Sequence, residues 1–201
     1  MDNTQRTKYR TKAKDSFKTK RNLFLFDLVL NGKDEFSKEE FEQFMIKEDL
    51  AKCYTTRYWQ QESDKPINDI KIGDIYNRIK QIEGKCSDVL KELEYEYIQS
   101  FSKVITEEKF IELISKESCH YCGITEKKID ILSGKQRLYK KNLRGWNLEV
   151  DRLNSNFEYV FENCVMACYW CINAKTDEFT EDEFKLIGKT IGEIWERRLD
   201  D

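Results

Sequence analysis

The chain has 201 residues, enough to bury a core of its own and to hold one large domain or two small ones. Charged residues reach 36% and mean hydropathy is −0.75, but aromatic residues at 13% exclude a disordered chain. No apolar run approaches the roughly 18 residues of a membrane span.

One proline and eight glycines favour a helix-rich architecture with few tight hairpins. The net charge of −3 hides an asymmetry. Residues 1–22 carry eight cations against Asp2 and Asp15, so they sum to +6 and the remainder to −9. A basic arm ahead of an acidic body suits contact with backbone phosphates and equally suits a solvated tail. Leu23–Leu30 comes next as a short run of alternating Leu and Phe, whose periodicity fits a strand as well as a buried helix. Ser37-Lys38-Glu39-Glu40 has the capping-box pattern, and Phe41, Phe44 and Met45 come after it at helical spacing, predicting a helix over about 38–52. Pro66 marks a break. Ile72, Ile75, Ile79 and Ile82 predict a helix ending near Gly84, and Val89, Leu90, Leu93, Tyr97 and Phe101 predict the next. Thr106 opens a third, with Phe110, Leu113 and Ile114 inward.

The stretch 126–146 differs in character. Lys127, Lys128, Lys135, Arg137, Lys140, Lys141 and Arg144 face only Glu126 and Asp130, with turns at Gly134 and Gly145. It is a candidate for phosphate contact, the alternative being an exposed loop kept soluble by lysine, ahead of a strand over Trp146–Val150. The expected division is a basic arm over 1–22, a helical domain over 23–115 and a metal-binding module over 116–201.

That module is marked by Cys119-His120-Tyr121-Cys122 and Cys168-Tyr169-Trp170-Cys171. Each pair has the two-residue gap that lets two thiolates of one turn reach a single tetrahedral Zn²⁺. Two pairs supply all four ligands, so such a site is closed and structural. The alternatives are unrelated knuckles of reduced cysteine, or a disulfide. Seven cysteines, with Cys53, Cys86 and Cys164 outside the pairs, and an opening Met1-Asp2-Asn3-Thr4-Gln5 with no secretory apolar segment favour a reduced, cytoplasmic protein.

The stretch from Cys119 to Phe184 resembles the HNH, or ββα-metal, endonuclease family. The matching pieces are Cys119-His120-Tyr121-Cys122-Gly123, Leu148-Glu149-Val150-Asp151-Arg152, Asn163-Cys164-Val165-Met166-Ala167-Cys168 and Cys171-Ile172-Asn173-Ala174-Lys175. Thr176-Asp177-Glu178-Phe179 with Glu183-Phe184 is similar to the segment after the motif in phage and mobile-element members. The resemblance covers about a third of the chain and implies an α+β, mostly α fold: a helical N-terminal half, a zinc-bound ββα module and a C-terminal helix. It implies hydrolysis of DNA phosphodiester bonds with structural Zn²⁺ and catalytic Mg²⁺ or Mn²⁺, in a phage, mobile-element or restriction and defence setting. Asp151 falls on the metal-binding carboxylate and Asn163 on the strand-orienting asparagine. Lys175 falls on a helix lysine suited to the phosphate backbone, beside Lys127, Lys128, Lys140, Lys141 and Arg144.

Two positions depart from the family pattern. Arg152 stands where the histidine base is usual, and a guanidinium stays protonated, so it suits a phosphate clamp. The base then falls to Tyr159, Glu149 or a metal-bound hydroxide. Ile172 replaces the asparagine after the last cysteine, and Asn173 comes one residue late, rotated by about 100°. His120, the one histidine, lies inside the first knuckle. The alternative reading is a degenerate fold serving as a zinc-stabilised nucleic-acid or protein-binding module, with the helical half as a surface for a protein partner and no membrane.

Overall fold

The computed structural model describes residues 1–55, 66–67, 70–139 and 145–200. They divide into two compact units. One is Asp2–Val104 with Asn156–Tyr159; the other is Ile105–Ser155 with the chain from Val160. The expected α+β, mostly α class is the one adopted, with a helical first half, one antiparallel hairpin in the second half and a closing C-terminal helix.

The first unit begins with α1 (Asn3–Leu30), capped by a box in which Asp2 accepts from the Gln5 amide at 2.8 Å and Gln5 accepts from the Asp2 amide at 2.9 Å. The basic tract over 1–22 is therefore not a separate arm, but the opening turns of a helix that runs on through Leu23–Leu30. Ala13, Ser16 and Phe17 bury one face of that first part, and Leu23, Phe24, Leu25, Phe26, Leu28 and Val29 are then buried on nearly every side. A run covered all round needs no two-residue alternation, which is why periodicity could not separate helix from strand.

The helix expected over 38–52 is two helices, α2 (Lys38–Gln43) and α3 (Glu48–Thr55). Ser37 and Glu40 cap α2 reciprocally, but the chain leaves the helix at Phe44, with φ −65° and ψ 126°. The Phe24 ring gathers Phe36, Phe41 and Phe44 at 5.0, 5.2 and 5.3 Å. Those contacts outweigh the weak helix propensity of Phe44-Met45-Ile46. A two-residue ladder, β1 (Pro66–Ile67) with β2 (Ile70–Lys71), leads into α4 (Ile72–Lys85) and α5 (Ser87–Gln99). Helices α3, α4 and α5 pack on α1. Ile75, Ile79, Ile82 and Leu93 close the core over Phe24, Phe26 and Val29, and each fully buried side chain of this size contributes about 1.5–3 kcal/mol. Within the same unit, Tyr97 Oη donates to Glu158 at 2.6 Å and the Tyr159 amide donates to the buried Ser16 hydroxyl at 3.2 Å.

The second unit starts ahead of α6 (Glu107–Ile114), capped by Thr106, and not at the expected 115/116 division. The reason is packing: α6 lies against both strands of the hairpin, β3 (Glu149–Arg152) and β4 (Cys164–Ala167). These strands pair antiparallel, with Glu149 opposite Ala167, Asp151 opposite Val165 and Arg152 opposite Cys164. The basic stretch over 126–146 opens as α7 (Glu126–Gly134), capped by Thr125, because Ile129 and Leu132 are fully buried on one face. The strand expected over Trp146–Val150 lies two or three residues later. After the hairpin come α8 (Tyr169–Lys175) and α9 (Glu181–Asp200).

Helix α9 presses its backbone onto the first cysteine pair. A Cβ at Gly188 would lie 2.7 Å from the Tyr121 carbonyl oxygen, and one at Gly192 would lie 2.5 Å from that of Cys122. Gly192→Ala is expected to lower stability by about 1–3 kcal/mol through overpacking, more than the roughly 1 kcal/mol that alanine returns in helix propensity. Thermal unfolding checks this, and an unchanged or raised Tm would show that the helix can move away. Among the described residues no helix is long and apolar enough to cross a membrane.

Candidate metal centre and active site

The Sγ atoms of Cys119, Cys122, Cys168 and Cys171 all lie within 4.8 Å of one another, with Cys122 and Cys168 at 3.6 Å. The first pair sits in a tight turn. The Gly123 amide donates to the Cys119 carbonyl at 2.9 Å, and Gly123 holds φ +71°, a conformation that favours glycine. The Cys119 amide returns to the Ile124 carbonyl, closing the knuckle. The second pair sits where β4 passes into α8, Cys168 as the residue before the helix and Cys171 in its first turn. None of the seven cysteines is joined in a disulfide.

The donor set suits a metal ion such as zinc. Four thiolates at about 2.3 Å from one centre stand about 3.8 Å apart, close to the separation observed. The thiols also share their protons unevenly. Hydrogen bonding from Cys122, Cys168 and Cys171 pulls Cys119 well below the usual thiol range, while hydrogen bonding with Cys119 and Cys122 pushes Cys168 and Cys171 up. A divalent cation removes this conflict by replacing the protons.

Asp151 lies on β3, half-buried, with its Oδ2 accepting from Tyr121 Oη at 3.1 Å and standing 3.7 Å from Lys175 Nζ. Burial raises its pKa above the usual carboxylate range, against the pull of the Lys175 charge and the Tyr121 hydrogen bond. Tyr121 is buried, its ring edge-on to Phe184 at 5.0 Å, and burial beside Asp151 pushes its hydroxyl pKa up, so it donates and does not ionise. Sequence reasoning missed Tyr121. Its only signal was an aromatic side chain inside the first knuckle.

Lys175, expected at the phosphate backbone, is instead 1% exposed. Its ammonium donates to the Arg152 carbonyl at 2.9 Å. Four residues after Cys171, it shares that residue's helix face, and both point inward. Asn163 fastens the hairpin: its Oδ1 accepts from the Asn154 amide at 2.9 Å, its Nδ2 donates to the Asn154 carbonyl at 3.0 Å, and its own carbonyl accepts from the Leu153 amide.

Asn173, a candidate catalytic residue one position later than the usual helix asparagine, bonds to its own helix. It is exposed, and its amide donates to the Tyr169 carbonyl one turn back at 2.6 Å. Lys175 is the α8 residue that reaches Asp151. Arg152 is half-buried and falls on the opposite strand face from Asp151, whereas Glu149, two residues back, shares it. Tyr159 is held in the first unit, its ring under Lys12 Nζ at 4.7 Å. His120 Nε2 lies 2.8 Å from Glu181 Oε1, and the hydrogen bond from Lys185, with that of His120, holds Glu181 below its ordinary pKa. A groove of about 410 Å³ beside the hairpin is lined by Lys116, His120, Leu153, Phe161 and Val165, the last being the cross-strand partner of Asp151.

Of the basic residues proposed for phosphate contact, Lys127 is exposed and Lys128 pairs with Glu196 at 2.5 Å. Lys140, Lys141 and Arg144 lie outside the described residues. Among the described residues, no second set of three His, Cys, Asp or Glu side chains converges as the cysteines do.

No protein-family model matches the chain, and no curated protein matches it. Among solved structures the chain is similar to the rare-cutting HNH restriction endonuclease PacI, at 25% identity and a TM-score of 0.40, covering 52% of this chain and 78% of that one. The likeness is partial, and the functional reading is carried by this chain's own cysteines, Asp151 and Asn163.

Proposed function

We propose that this protein is an HNH-type, metal-dependent endonuclease that hydrolyses DNA phosphodiester bonds, in a phage, mobile-element or restriction and defence setting. The observation that carries this reading is the hairpin followed by α8. A four-cysteine cluster suited to structural zinc anchors α8, Asn163 fastens the hairpin, and Asp151 stands half-buried on β3. Asp151 would hold Mg²⁺ or Mn²⁺, which supplies charge neutralisation at the scissile phosphate. Arg152, permanently charged, binds a non-bridging phosphate oxygen. Glu149, on the strand face of Asp151, would take a proton from water, with Tyr159 or a metal-bound hydroxide as the other bases open to the site. Lys175 holds both the Asp151 carboxylate and the Arg152 carbonyl in place. Lys127, Lys128, Lys140, Lys141 and Arg144 contact the DNA backbone.

Plasmid nicking with Mg²⁺ or Mn²⁺ tests the reading. Asp151→Ala is expected to lower the rate at least about 100-fold with the fold retained. Equal activity in the two proteins, or none in either, would sink it. A second reading, a zinc-stabilised nucleic-acid or protein-binding module that does not cut, is favoured by Arg152 in the place of the histidine and by the ammonium of Lys175 already beside Asp151. It requires salt-sensitive binding without cleavage and no divalent ion at Asp151.

A further inference from the structure

Arg6 and Lys8 apart, the cations of α1 divide into two sets. Lys12, Lys20 and Arg21 serve the fold of their own unit: Lys12 pairs with Asp15 and lies over the Tyr159 ring, Lys20 lies over Phe41, and Arg21 pairs with Glu83. Arg10, Lys14 and Lys18 are not engaged in that way. They recur every fourth residue and all three are exposed. Among the described residues, no ion pair engages Arg10, Lys14 or Lys18. Like charges at four-residue steps work against a helix, and cations near its N-terminus oppose the macrodipole. The row is thus a local cost to α1 with no return inside its own unit.

We propose that this row is a second nucleic-acid contact surface, one that tracks the phosphate backbone of a DNA duplex. The row extends about 12 Å along the helix axis, the axial rise of about three to four phosphates on one strand. Thr7 and Thr11 beside it are exposed and polar. A helix that lies on a lipid surface needs exposed Trp, Phe or Leu to insert, and among the described residues no exposed large apolar side chain lies on α1. Residues 1–22 sum to +6 against −9 for the remainder, so positive charge is concentrated on the first part of α1. The contact is indifferent to base sequence, because it involves charges alone.

The inference rests on the reading of this protein as one that acts on DNA, but its test does not depend on cleavage. Binding of the full chain carrying Asp151→Ala to a labelled duplex is measured against salt, without added divalent ion. Arg10→Gln with Lys14→Gln and Lys18→Gln is expected to weaken binding at least about tenfold near 0.1 M salt and to reduce the slope of log K against log salt by about 2.7. A control with Lys52, Lys80 and Lys91 changed to Gln, exposed cations of the same unit, is expected to leave the slope unchanged. Because all six side chains are exposed, circular dichroism is expected to stay constant in both, with Tm unchanged or slightly raised in the α1 variant as the like charges are removed. An unchanged slope in the α1 variant, an equal loss in the control, or loss of binding to anionic vesicles in place of DNA overturns the proposal. Failure of the nuclease reading shows separately, as absence of cleavage by the unmodified chain while the α1-dependent binding persists.

Discussion

Stripping the metal from the four cysteines is expected to unfold the unit that begins at Ile105 and to leave the helices of the first unit melting as before. Structural zinc sites supply on the order of 10 kcal/mol or more of folding energy, whereas a whole domain is stable by only about 5–15 kcal/mol. The cluster also seats its surroundings. Cys119 and Cys122 close the knuckle on which Gly188 and Gly192 of α9 rest, and Cys168 and Cys171 join β4 to α8. Tryptophan fluorescence reads the loss directly, because Trp170 and Trp195 stack at 4.9 Å within this unit. A strong chelator, or Cys171→Ser, should expose both, and less chelator should suffice as pH falls, since protons compete for the thiolates. A melting profile indifferent to chelator would show that apolar packing alone holds the unit.

The second large effect is expected at Lys175. Its ammonium is desolvated almost completely and holds two groups of β3, the Asp151 carboxylate and the Arg152 carbonyl. Breaking a buried pair by removing one partner costs about 3–5 kcal/mol. Asp151 keeps some exposure, so Lys175→Met is expected near the lower end of that range. Asp151→Asn together with Lys175→Met should cost less than the sum of the two single changes, because no uncompensated charge remains. Urea unfolding of the three variants checks the cycle, and strict additivity would show that the two side chains do not act on one another. The pair also bears on function. The ion that Asp151 would bind has to share its carboxylate with a fixed cation, so Lys175→Met should bind Mn²⁺ more tightly in the surviving folded protein.

The features legible in the sequence are those set by short-range rules. Ser37 with Glu40, Thr106 and Thr125 cap helices because a side-chain oxygen and an amide three residues on meet in any chain of that composition. Ile75, Ile79 and Ile82 fall on one face through the helical period alone. Where competing signals were local and equal, the sequence was ambiguous or misleading. Leu23–Leu30 had no alternation to betray it as helix, Phe44 left α2 for an aromatic cluster gathered from α1, and the cations of 126–134 concealed the buried face of Ile129 and Leu132.

By itself, then, the amino-acid order determined four candidate metal ligands and most of the helices, because ligand gaps, caps and periodicity act over a few residues, whereas the hairpin-then-helix arrangement around Asp151 and Asn163 was legible only through the resemblance to a known family. Only the tertiary structure decided which side chains meet Asp151. Tyr121 comes from 30 positions earlier and Lys175 from 24 later, and each arrives because the cysteine cluster clamps its segment against β3. The same clamping turned an expected phosphate contact inward and left Asn173 on its own helix, since the burial of Cys171 fixes which face of α8 can look at the site.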